Sequence, residues 1–180
     1  MIGALVGDIV GSIYEFHNHR STDFPFWGEK CRFTDDSVMS IAVADWILRG
    51  DGDDIADTLR KWGRAYQRRG YAGHFRQWIW SKEPKPYNSW GNGSAMRVSP
   101  CGFAAQTLDE ALDLAKRSAE VTHNHPEGIK GAQATAAAIF LARTGADKAA
   151  IKAEVVKRFG YDLTRTCDEI RPGYVFNESC

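Results

Sequence analysis

Phe33-Thr34-Asp35-Asp36-Ser37-Val38 sets two adjacent carboxylates between two hydroxyls, with apolar residues closing both ends. Carboxylates drawn out of water side by side repel each other unless a proton or a cation offsets the charge. An all-oxygen donor set suits a hard ion such as Mg²⁺, Mn²⁺ or Ca²⁺. The same residues also suit a helix start, with Thr34 or Asp35 as its cap and Asp36 favoured by the helix dipole. Both readings stand at this point, and capping is the commoner use of such residues.

Three other clusters could carry chemistry. Asp8 and Glu15 stand seven residues apart in an apolar stretch, which places them on one face if a helix runs through both. Trp90-Gly91-Asn92-Gly93-Ser94-Ala95-Met96-Arg97 has the build of an anion cradle. Its glycines let backbone approach a ligand, N–H groups of a following helix would point outward, and Arg97 would add charge. A plain tight turn with Asn92 at positive φ is the competing reading. Thr122-His123-Asn124-His125-Pro126-Glu127-Gly128 offers two histidines but no Cys or acid at zinc-site spacing. A hydrogen-bonding or stacking wall fits the pair better, beside the plain alternative of satisfied loop histidines. Phe24, Trp27 and Tyr87 are candidate pocket walls, although core packing is the default for aromatics.

Composition narrows the classes. Lys plus Arg number 23, Asp plus Glu number 23, and the formal net charge is zero, which argues against a nucleic-acid or membrane surface held by bulk charge. No apolar run approaches the ~20 residues that span a bilayer. Met1 to Asp8 lacks the basic start of a secretory leader. The four cysteines, Cys31, Cys101, Cys167 and Cys180, are scattered with no Cys-x-x-Cys pair, so reduced thiols in a cytoplasmic protein are expected.

The elements that must position these clusters read as helices throughout, in one domain over 1–180. Gly3, Gly7 and Gly11 recur every four residues in a helix over 3–16, forming a flat ridge for another backbone. Residues 17–32 read as a loop. A helix over 37–49 buries Val38, Ile41, Ala42, Trp46 and Leu48 and stops at Gly50. Asp53 or Asp54 caps a helix over 55–68, with Ile55, Leu59, Trp62 and Tyr66 inward. Further helices are expected over 74–81, 94–105 (interrupted by Pro100 and Gly102), 108–121, 127–143 and 147–159, with a long loop over 82–93. Thr107 and Glu110 form a capping box. No strand alternation is present, and the expected class is all-α.

In their order along the chain, Gly-Asp-x-x-Gly-Ser-x-x-Glu-Phe, Phe-Thr-Asp-Asp-Ser, Gly-Asn-Gly-Ser-Ala-Met-Arg and Thr-His-x-His-Pro together resemble the ADP-ribosylglycohydrolase family, from residue 3 to about residue 145. The resemblance implies an all-α orthogonal helical bundle with a dinuclear Mg²⁺ or Mn²⁺ centre that hydrolyses the bond between ADP-ribose and a protein side chain or small acceptor. It implies Thr34, Asp35 and Asp36 as metal ligands, and Glu15, with Asp35 and Asp36, as the catalytic carboxylates. It implies Gly91, Asn92, Gly93 and Ser94 against the diphosphate, and His125, less surely His123, on the ribose and adenine side. Asp8 either supports the metal shell or bonds only within the bundle.

One departure matters. Family members carry a later Gly-Gly-Asp-x-Asp-Thr motif that completes the metal centre, and residues 160–180 hold nothing like it. Asp162, Asp168 and Glu169 lack that context. The chain thus reads as the N-terminal two-thirds of such an enzyme. Thr34, Asp35 and Asp36 alone fall short of the ~6 oxygens a hard ion prefers. Exposed apolar surface, self-association or a complementing chain are then expected. Three functions remain: an ADP-ribosyl hydrolase, an ADP-ribose-binding module without turnover, and a folded remnant.

Overall fold

Local chemistry explains where most helices begin and end in the computed structural model, which describes residues 1–17, 19–50 and 54–174. Asp53 and Cys180 lie outside those residues. Helix α1 spans Ile2–Gly11 and α2 spans Asp35–Arg49, the latter capped by Thr34, whose side chain accepts from the Asp36 N–H. Helix α3, Ile55–Ala65, is capped by Asp54, and α4 runs Gly73–Trp80. Asn92–Ser94 form a single 3₁₀ turn ahead of α5, Ser99–Ala104. Helices α6, Leu108–Glu120, and α7, Pro126–Arg143, are followed by α8, Lys148–Phe159, and the short α9, Cys167–Ile170. Among the described residues there is no strand, so the all-α expectation holds.

Helix α2 is the hub. It packs on α1, α3 and α5, while α7 packs on α5, α6 and α8. Val38, Met39, Ala42, Val43 and Trp46 of α2 join Leu59, Ile79, Val98 and Cys101 in one buried cluster. Ala115 and Ala119 of α6 face Ala132 and Ala136 of α7 in the same cluster, and small side chains let these helix axes come close. Gly102 of α5 completes the approach: a Cβ there would sit 2.7 Å from the Ala136 carbonyl oxygen.

Several sequence expectations change. Helix α1 ends at Gly11, so Glu15 stands in the bend beyond it and shares no helix face with Asp8. The glycine ridge of α1 packs on nothing: no described atom comes within 4 Å of a Cβ built at Gly3, Gly7 or Gly11. Leu48 is exposed, because it falls on the far side of α2 from Trp46. Helix α3 stops at Ala65, leaving Tyr66 half out of the core. Pro100 starts α5 instead of interrupting it, since a proline in the first turn forfeits no helical hydrogen bond. Glu110 accepts from the Gln106 N–H at 2.6 Å instead of from Thr107, so only half of the expected capping box forms.

Candidate functional site

The acidic stretch is organised by a residue far away in sequence. Asp8 of α1 reaches the start of α2 and accepts four hydrogen bonds there. The Thr34 N–H donates to Oδ2 at 2.8 Å and the Thr34 hydroxyl to Oδ1 at 2.5 Å. The Ser37 N–H donates to Oδ2 at 3.2 Å and its hydroxyl to the same oxygen at 2.5 Å. Thr34 therefore is the cap, as its pattern suggested, and it is also clamped to α1. On the other side the Asp35 N–H donates to the Arg69 carbonyl at 2.7 Å. Gly70 follows at φ +101, a backbone that favours glycine, and a Cβ there would press on Asp35 Oδ1 at 3.1 Å.

Bracketed in this way, four carboxylates crowd together. Burial pushes the Asp35 carboxyl up to about 7, with Asp36, Glu15 and Asp8 adding to the rise. Asp36 is raised by burial and then by Asp8. Glu15 is raised by burial, then by Asp36 and Asp8, against a smaller opposing pull from Arg32. Among the described residues no ion pair joins any of the four to a Lys or Arg. The Tyr71 hydroxyl, close enough to feel Asp35, is buried without a hydrogen-bond partner among those residues. This is an all-oxygen cluster whose negative charge no ion pair offsets among the described residues, which is the chemistry a hard cation satisfies. It is not a closed cage: among the described residues no three His, Cys, Asp or Glu side chains converge as a ready metal site.

Asp35 also lines a cleft of about 170 Å³ with His74, Phe75, Tyr87, Gly91, Asn92, Gly93, Arg97 and His123. The second and third motifs thus meet in space, and His123 joins them. The glycine turn does not lead straight into an α-helix, since α5 begins only at Ser99. A single 3₁₀ turn stands where the α-helix start was expected, and Arg97 brings a positive charge to the cleft. That guanidinium is 1% exposed, and among the described residues no ion pair joins it to a carboxylate. It donates to the Ser118 hydroxyl at 3.3 Å, the Ser118 carbonyl at 2.5 Å and the Thr122 hydroxyl at 2.9 Å. Burial lowers it to about 10, which still leaves it charged near neutrality.

The two histidines separate. His123 lines the cleft and is 5% exposed, and burial first, Arg97 second, press it down to about 3. His125 instead caps α7, its Nδ1 accepting from the Glu127 N–H at 3.1 Å, with its ring 6.4 Å from that of Trp90. Ser94 turns away from the cleft and donates to the Gly128 carbonyl at 2.8 Å. Tyr87 walls the cleft between the rings of His74 and His123, whereas Phe24 lies against α1 and Trp27 is exposed. Asp162 accepts from the Thr164 N–H, Glu169 completes a capping box with Thr166 at α9, and Asp168 pairs with Arg171. A larger apolar groove of about 700 Å³ between α7 and α8 contains no acid and no histidine, so it lacks the means for this chemistry.

Residues 1–175 match the family model described as ADP-ribosylglycohydrolase. The chain belongs to the ADP-ribosylglycohydrolase family. Human ADP-ribosylhydrolase ARH3 is 30% identical over 178 residues, covering 81% of this chain and 49% of that protein. The ADP-ribosylarginine hydrolase Tri1 of Pseudomonas putida is 30% identical over 183 residues, covering 87% of this chain and 49% of its own length. The Xenopus tropicalis ARH3 is 26% identical over 174 residues. The chain spans about half the length of the curated relatives it matches. Sequence reasoning left Asp8 ambiguous, named Thr122 only as part of its histidine cluster, and missed His74 as a cleft residue. The Gly-Asp-x-x-Gly-Ser-x-x-Glu-Phe motif was the signal for Asp8 and the Thr-His-x-His-Pro motif that for Thr122, whereas none marked His74.

Proposed function

We propose that this chain binds ADP-ribose in the cleft and contributes to hydrolysis of the bond joining it to an acceptor. The observation that carries the reading is the meeting of Asp35, the Gly91–Gly93 turn and His123 around one cleft in a member of this family. Thr34, Asp35 and Asp36 would hold a divalent cation, Mg²⁺ or Mn²⁺, whose chemistry is to orient ribose hydroxyls and a water. Departure of the acceptor builds positive charge at the anomeric carbon, and the crowded carboxylates supply the negative field that stabilises it. Glu15, its carboxyl raised by burial and by Asp36 and Asp8, is suited to hold a proton for the acceptor or to take one from water. Gly91 and Gly93 let backbone approach the diphosphate, and Arg97 beneath them adds positive potential.

The arginine named for the Pseudomonas relative is a candidate acceptor. Titration calorimetry with ADP-ribose and Mn²⁺, paired with release of ADP-ribose from a modified substrate, tests the reading. Cation-dependent release that Asp35→Ala abolishes supports it, and no binding of either ligand refutes it. A second reading is ADP-ribose binding without turnover. It is favoured by the short donor set, in which three adjacent residues supply fewer than the ~6 oxygens a hard ion takes. Binding without release would select it.

A further inference from the structure

We propose that Arg97 and Thr122 are positioning residues that lock His123 as a neutral ring with its proton on Nε2, aimed as a fixed donor at a phosphate oxygen of a ligand in the cleft. The ligand half of this statement rests on the reading above. The lock itself does not.

A guanidinium carries only donors, so Thr122 Oγ1 accepts from Arg97 Nη2 across 2.9 Å. The hydroxyl has one proton to give and two acceptors in reach. His123 Nδ1 is 2.7 Å away, whereas the Ala119 carbonyl is 3.5 Å away, at the limit of a useful hydrogen bond. Accepting from a cation polarises the O–H bond and makes it a stronger donor, which favours the short contact further. Nδ1 is then an acceptor, and a neutral imidazole in that state carries its proton on Nε2. Burial and the nearby Arg97 keep the ring from taking a second proton.

Nε2 makes no hydrogen bond to a described residue, and it is pressed against the glycine turn. A Cβ built at Gly93 would stand 2.9 Å from it. The Thr122 backbone adds to the frame, since its carbonyl accepts from the Tyr87 N–H at 3.3 Å and ties the other wall of the cleft to the same residue. A phosphate oxygen is an acceptor only, so it matches a donor that cannot switch roles. A protonated histidine would hold the same anion more strongly but would release it as pH rises. This one keeps its selectivity across the neutral range.

Long-range ¹H–¹⁵N NMR of the whole chain near pH 7, with His123 assigned by loss of its signals in His123→Gln, reads the tautomer directly. A pyridine-type Nδ1 with a pyrrole-type Nε2 is expected, and the reverse pattern overturns the lock without any variant needing to fold. Thr122→Val should bring in the other tautomer and weaken ADP-ribose binding about tenfold, the effect of about one hydrogen bond. Thr122→Ser should restore both. Retention of the Nε2–H form in Thr122→Val overturns the role of Thr122. If the wild-type tautomer is as expected but ADP-ribose does not bind, the functional reading falls and the lock stands.

Discussion

Replacing Asp35 by Asn keeps the shape of the side chain and removes its charge. Its carboxyl rises from 3.8 to about 7, through burial and then through Asp36. At about 1.4 kcal/mol per unit, a shift of roughly three units corresponds to about 4 kcal/mol. The folded pKa lies above the unfolded one, so between about pH 4 and pH 7 the native state holds more protons and stability falls as pH rises. Below that window both states are protonated and the penalty is absent, and above it the penalty is complete. Asp35→Asn is therefore near neutral at pH 4 and stabilising by up to about 4 kcal/mol at pH 8, less whatever water drawn to the charge recovers. The quantity to measure is the difference between variant and wild type. His123 works in the opposite direction, because its lowered pKa removes stability as pH falls below about 6.5. Both proteins share that contribution, and it cancels. Urea unfolding of each at pH 4.5, 6 and 8 in a chelator gives the series. A difference that stays flat or shrinks with pH would refute the claim that Asp35 is a strained, uncompensated carboxylate.

Other perturbations test the same arrangement. Millimolar Mn²⁺ or Mg²⁺ should raise the thermal midpoint more at pH 8 than at pH 5, because the ligating acids must ionise first; equal shifts at the two pH values would place the ion elsewhere. Asp8→Ala removes the acceptor of four hydrogen bonds at the start of α2 and should cost about 2–4 kcal/mol in chemical unfolding, against under about 1 kcal/mol if the contact were incidental. Gly93→Ala would put a Cβ 2.9 Å from His123 Nε2, so ADP-ribose affinity should drop by about tenfold or more, at an overpacking cost of about 1–3 kcal/mol. Unchanged affinity in calorimetry would remove His123 from the binding surface.

The sequence by itself determined the all-α class, where most of the helices lie, several of their N-caps and the family. Thr34, Asp54, Thr107 and Asp147 each bond a backbone N–H two or three residues on, so their role depends only on neighbours that the sequence displays. Helix ends past a turn or a glycine were less legible, as α1 illustrates, because apolar spacing continues whether or not the backbone does. The site belonged to the tertiary structure. Asp8 braces residues 26 and 29 positions away, and Arg97 reaches Thr122 across 25. Periodicity carries no record of such contacts. The resemblance set His125 ahead of His123, and packing reverses that order by turning His123 into the cleft and leaving His125 to cap α7. The acidic pair near residue 35 was first a cap or a ligand. Folding made Thr34 the cap and brought Asp8, Glu15, Asp35 and Asp36 close enough to repel, because only burial and proximity turn separate carboxylates into a demand for a cation.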